Sequence, residues 1–74
     1  MKVWFGAREL DGKALPGLPE GRANIASRVI SPLINSQFVR PRAGRGGGWE
    51  IHVDALPEAA RAELERRHRA EIER

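Results

Sequence analysis

The chain predicts an α+β domain in which a short sheet and amphipathic helices share one apolar layer. Two patterns carry that expectation. Trp49, Ile51 and Val53 alternate with Glu50, His52 and Asp54, the period-2 signature of a strand with one buried and one wet face. Upstream, Ile25, Ala26, Val29 and Ile30 recur at the i, i+4, i+5 spacing of an amphipathic helix. Each element leaves an apolar surface that needs the other to cover it.

Seventy-four residues make one domain, and a chain of this size buries only about 60% of its unfolded surface. There is no cysteine, hence no disulfide framework and no thiolate site. His52 and His68 lie far apart, without the close Cys/His spacing of a structural zinc site. No metal and no cofactor is expected. The core is expected from Trp4, Phe5, Leu10, Leu15, Leu18, Ile25, Val29, Ile30, Phe38, Trp49, Ile51, Val53, Leu56 and Leu64. The apolar runs are too short for a membrane span or a signal-peptide core, so a cytoplasmic location with no membrane partner is expected.

In chain order, Lys2 to Phe5 is a short apolar segment that adds one strand beside a hairpin. Ala7 to Leu10 form about a turn of helix that stops at Asp11-Gly12. Leu15-Pro16-Gly17-Leu18-Pro19 is a rigid turn, because two prolines and a glycine exclude a helix interior. The amphipathic helix occupies Glu20 to Ser31 and turns Arg22, Asn24, Ser27, Arg28 and Ser31 away from its apolar stripe. Pro32 leaves two possibilities. The helix ends at Ser31, or Ser31 caps a second short helix with Pro32 at its first position, running through Leu33, Ile34 and Gln37.

Phe38 to Val53 is expected to be a β-hairpin, with a flexible tip carrying three consecutive glycines, Gly46, Gly47 and Gly48. Asp54 and Pro57 then announce a closing helix, with Glu58 at its positive end. Leu56, Ala60, Leu64 and Ile72 share its apolar stripe, and Glu63 with Arg67 and Glu65 with Arg69 are spaced for i, i+4 pairs. Past Leu64 the stripe thins to Ile72, so residues 65–74 are expected to be an extension or a linker helix to further domains.

Net charge is +3, but it is unevenly spread. From Gly21 to Trp49 there are five arginines, Arg22, Arg28, Arg40, Arg42 and Arg45, and no carboxylate; the remainder holds eight basic and ten acidic residues. A contiguous acid-free stretch is the electrostatic footprint expected for nucleic acid. Arginine in the hairpin suits phosphate, which it binds bidentately, and the Arg, Asn and Ser face of the helix can reach base edges. The plainer reading is a solvated loop and a solvated helix face.

With the turn, the polar helix and the hairpin in place, the sequence resembles the Mu-type DNA-binding domain, found in phage Mu-like transposases and repressors. The resemblance rests on Trp4 and Glu9, on Leu15-Pro16-Gly17-Leu18-Pro19, on Arg42-Ala43-Gly44 followed by Gly46-Gly47, and on Ile51, Val53, Leu56 and Pro57, and so covers nearly the whole chain. It implies a small winged helix-turn-helix, with the second helix in the major groove of double-stranded DNA and a Gly-rich wing reaching the neighbouring minor groove. Arg28 matches an arginine of the repressor branch, Asn24 and Ile25 fall where the family often has Gly-Val, and Arg42, Arg45, Gly46 and Gly47 fall in the wing. Pro32, Phe38, Gly48 and Trp49 depart from the family pattern. The DNA-binding residues expected on one ground or the other are Arg22, Asn24, Ser27, Arg28, Arg40, Arg42, Arg45, Gly46 and Gly47. The resemblance implies the N-terminal enhancer- or operator-binding part of a transposase, or a repressor.

Two other function classes compete. Glu50, His52 and Asp54 could be imagined as acid-base groups, but they alternate along one strand with no nucleophile, metal cluster or phosphate loop beside them. No catalysis and no small-molecule substrate are therefore expected of this domain. A protein-interaction module would use the charged closing helix, with other domains or copies of the parent protein as partners, and is compatible with DNA binding.

Overall fold

A computed structural model describes residues 2–42 and 48–72 of the chain. Three short strands, β1 (Trp4–Gly6), β2 (Val39–Pro41) and β3 (Trp49–His52), form an antiparallel sheet in the order β1-β3-β2. Between β1 and β2 lie α1 (Ala7–Lys13) and a second helical run, α2, which begins at Arg22–Ile25 and continues without a break through Ala26–Ile30 and Ser31–Leu33. A 3₁₀ turn at Val53–Ala55 leads from β3 to α3 (Glu58–Ile72). The protein is thus a small α+β domain, and the first strand pairs beside the β2–β3 arm as expected.

Sheet register decides which side chains are inside. Phe5 pairs with Ile51, and Ile51 pairs with Val39, so the three stand in one row across the sheet. All three are buried, Ile51 completely. Leu10 of α1, Ile25 and Ile30 of α2, and Ala60 and Leu64 of α3 cover that row, with Leu15, Val53 and Leu56 closing the gaps. Among the described residues no polar or charged residue is buried.

Three expected core aromatics are corrected by this register. Phe38 precedes β2 and is only partly buried; Val39, one position on, takes the core place because it is the residue opposite Ile51. Trp49 has the inward phase of Ile51 but pairs with Pro41 beyond the covered row, and is 44% exposed. Trp4 has the opposite phase from Phe5 and is also only partly buried. It packs edge-to-face against His52, with ring centroids 5.0 Å apart.

The helix of Ala7 does not stop at Asp11-Gly12. It runs a turn further to Lys13 and ends when Ala14 turns left-handed at φ 48°, its N–H donating to the Asp11 carbonyl. The extra turn sets Leu10 and Leu15 into the core, and one helical glycine costs less than their burial gains. The Leu-Pro-Gly-Leu-Pro turn is as expected, with Leu15 buried and Leu18 packed against the core. Gly17 permits its close approach to α3, since a Cβ there would stand 3.3 Å from the Pro57 Cβ and φ is +83°.

Leu56, just before α3, and Ala60 and Leu64 on it line the buried stripe, whereas no described residue after Leu64 is buried and Ile72 is 70% exposed. Glu63 meets Arg67 as the spacing predicts, and also Arg66; no Glu65–Arg69 pair forms among the described residues. Arg67 additionally donates to the Lys13 carbonyl at 2.8 Å, tying α3 to the last turn of α1. The closing 3₁₀ turn is capped by His52, whose Nδ1 accepts the Asp54 N–H, rather than by Asp54 itself.

Replacing Ile51 by Ala should cost about 2–5 kcal/mol, whereas Trp49→Ala should leave the urea midpoint nearly unchanged. Gly12 lies inside α1 with open space where a Cβ would stand. Gly12→Ala should therefore raise stability by about 0.5–1 kcal/mol, read from the same denaturation curves.

Candidate nucleic-acid interface

The second helical run is anchored at its start by its predecessor. Gly21 N–H donates to Asp11 Oδ1 at 3.0 Å, fixing the entry of α2 against α1, and Asn24 Nδ2 donates back to the Glu20 carbonyl at 2.7 Å. The middle of α2 is a π-helical turn, in which Ser31 N–H reaches the Ala26 carbonyl five residues back. In a regular α-helix residues 25 and 30 would stand about 140° apart around the axis. The wider turn brings them onto one side, and Ile25 and Ile30 are both buried. It comes immediately before Pro32, whose ring would crowd the carbonyl four residues back in a regular helix. The second course expected at Pro32 is met in part: a short 3₁₀ helix, Ser31–Leu33, carries Pro32 in its first turn. Ser31 is its first residue rather than its cap, staying helical at φ −55°, ψ −43°, so the turn follows directly on the run before it.

This phasing leaves Arg22, Asn24, Ser27 and Arg28 exposed, as expected. Ser27 and Asn24 are partly engaged by their own helix, Ser27 Oγ lying 3.4 Å from the Asn24 carbonyl. Arg22, Arg28 and Arg42 have no carboxylate within 4.0 Å among the described residues. Arg8, Arg61 and Arg69 are unpaired in the same sense, but they sit on helices that also carry Glu9, Asp11, Glu58, Glu65 and Glu71.

Arg40 is placed differently from the other expected contacts. Its phase is opposite to buried Val39, so it lies on the outer sheet face, with Nε 3.2 Å from Glu50 Oε1 and its guanidinium carbon 4.1 Å from the centroid of a Trp4 ring. An arginine so paired and stacked belongs to a sheet-face cluster with Trp4, Glu50 and His52, away from α2. Arg45, Gly46 and Gly47, with the rest of residues 43–47, lie outside the described residues.

Between α2 and the end of the β2–β3 arm runs a groove of about 590 Å³. Ala23, Ala26, Ser27 and Ile30 form its helical wall; Trp49 and Arg42 form the arm's side. Ser27 and Arg42 are thus brought to one groove, while Arg22, Asn24 and Arg28 lie outside its lining. Sequence patterning did not single out Trp49, since a tryptophan in a period-2 strand reads as core. The available signal was the small-residue sequence of Ala23, Ala26 and Ser27, which leaves space where larger side chains would have met the indole. Gly48, at φ +95°, makes the corner beside Trp49, and its carbonyl accepts the Arg42 N–H at 2.9 Å.

The residues imagined as an acid-base set have structural partners. Glu50 pairs with Arg40, His52 packs on Trp4 and caps Asp54 N–H, and Asp54 stands in the following turn rather than on β3. Among the described residues no three His, Asp or Glu gather as a metal site, and no described helix is long and apolar enough to cross a membrane.

Arg66 and Arg67 on α3 are held within the protein by Glu63 and the Lys13 carbonyl. The Arg66 hydrogen bond, followed by attraction from both arginines, holds the Glu63 carboxyl below the usual glutamate range. A carboxyl lowered on folding contributes above its unfolded pKa and loses that contribution as pH falls through the folded value. Carboxyl carbon NMR should accordingly find Glu63 titrating below the usual glutamate range, and Arg66→Ala should move it back up. Comparison of the chain with protein-family models, with curated proteins and with solved structures finds no match.

Proposed function

We propose that this chain is a winged helix-turn-helix domain that binds double-stranded DNA with sequence preference, α2 serving as recognition helix and the β2–β3 arm as wing. The observation that carries the reading is electrostatic. Arg22, Arg28 and Arg42 are exposed on an acid-free stretch with no carboxylate partner among the described residues. Cations left unpaired by their own chain are available to release counterions from a phosphate backbone, which supplies most non-specific affinity. The exposed Arg28 and Asn24 of α2 carry the donors and acceptors that read base edges in a major groove. Arg42, at the root of the arm, suits phosphate. Arg40 is left out of the contact set because Glu50 and Trp4 already hold it. The domain itself is read as non-catalytic, and the resemblance gives its context as the N-terminal enhancer- or operator-binding domain of a Mu-like phage transposase, or of a repressor.

A protein contact through α3 is the second reading, favoured by the exposed Ile72 at its far end. Both can hold in one molecule, since they use different elements.

Selection from a random duplex pool, followed by titration of the selected and a scrambled duplex at several salt concentrations, tests the first. Arg28→Ala should cost about 1–3 kcal/mol on the selected duplex and narrow its advantage over the scrambled one. Arg42→Ala should weaken both alike and reduce the salt slope by about one. Arg40→Ala should change binding little. Loss of binding only on Arg61→Ala or Arg69→Ala would move the contact to α3.

A further inference from the structure

Large apolar side chains in this protein are covered, with two exceptions among the described residues, Ile72 at the end of α3 and Trp49. Trp49 is the one whose neighbours define a partner. Its side chain takes the inward phase of β3, on the sheet face that carries α2, yet it lies past the covered row and stands 44% exposed as a wall of the groove. Its backbone is constrained from the β2 side. Pro41 pairs with it across the arm, and the Arg42 N–H to Gly48 carbonyl bond closes the next rung. An exposed indole on a strand end held by a ladder presents a surface that loses little freedom when it is covered.

The chemistry around that indole selects what covers it. The opposite wall is alanine, serine and isoleucine, Arg42 lies beside it without a carboxylate within 4.0 Å among the described residues, and no acid occurs from Gly21 to Trp49. An apolar surface edged by unpaired cation fits a ligand that sets apolar atoms directly beside fixed anions. The edge of a DNA minor groove does this, with deoxyribose and base edges flanked by phosphates, and apolar side chains are used against base steps there.

We propose that Trp49 is an apolar contact to duplex DNA, its indole lying against sugar and base edges of the minor groove while Arg42 meets the adjacent phosphate. This rests on the DNA-binding reading above and adds to it a residue that charge patterning does not pick out. Being uncharged, Trp49 contributes affinity without counterion release, so its removal and that of Arg42 leave different signatures.

The test uses the 74-residue chain carrying Trp4→Phe, which leaves Trp49 as the one tryptophan. Trp4 lies on the opposite sheet face, stacked on Arg40 and His52. Added duplex should quench the Trp49 emission in step with binding measured by anisotropy of the labelled DNA. Trp49→Ala in the natural sequence should weaken duplex binding about tenfold, the loss expected when part of a large apolar side chain is no longer covered. It should leave the slope of log affinity against log salt unchanged, while Arg42→Ala should lower that slope by about one. Trp49→Phe should retain most of the affinity. If Trp4→Phe does not fold, fluorine NMR of the natural sequence labelled with fluorotryptophan reads the same contact, and only the Trp49 resonance should shift. Duplex binding that depends on Arg28 but leaves Trp49 emission and the Trp49→Ala affinity unchanged overturns this proposal alone. Absence of duplex binding at every salt concentration overturns the DNA-binding reading and this proposal with it.

Discussion

Everything in this fold is hung on one row of side chains, Phe5, Ile51 and Val39, running across the three strands. With strands of only three or four residues, the sheet has too few ladder bonds to hold its own register. The row supplies the specificity, because a slip of one residue would carry Ile51 to the wet face and bring His52 or Glu50 inward. Removing Ile51 from water stabilises by roughly 2–3 kcal/mol, and both neighbouring strands gain that only in the observed pairing. The helices then have one defined surface to cover, and α1, α2 and α3 each contribute buried residues to it.

The same constraint shapes α2. Its sequence offers Ile25, Val29 and Ile30 to the core at a spacing that a regular helix cannot keep on one narrow stripe, and Pro32 follows at once. Widening one turn meets both demands, bringing Ile30 over Ile25 and relieving the chain before the proline. The exposed face is rephased as a consequence. Arg28 and Asn24 stay outside, while Ser27 turns toward the groove beside the arm. Packing beneath the helix and the polar pattern above it are therefore one decision.

Much of this was legible in the residues. Period 2 located β3 and the burial of Ile51 and Val53, the Leu-Pro-Gly-Leu-Pro run located a turn with Leu15 inside, and i+4 spacing located Leu56, Ala60 and Leu64. What failed has a common physical origin, since hydrophobicity reports that a side chain wants cover and not whether the neighbouring element extends far enough to give it. Phe38 is more apolar in area than Val39, yet register chose Val39. Trp49 has the right phase and no helix of sufficient bulk opposite. Arg40 is a separate case: it belongs to the basic stretch as read, and what charge patterning does not show is that Glu50, just beyond the acid-free segment in sequence, lies directly across the sheet in space. Asp11-Gly12 is a sound stop signal that Leu10 and Leu15 overrode by packing.

The edges of the sheet carry one more consequence. β1 offers three residues before α1 takes over its chain, and β2 offers three, the last of them Pro41, which has no N–H to give. Among the described residues neither border gives a neighbouring molecule a run of free backbone donors and acceptors long enough to extend the sheet. Two copies held close together, as on a shared scaffold, would thus be discouraged from merging strand to strand through these edges, and crowding would act on their side chains instead.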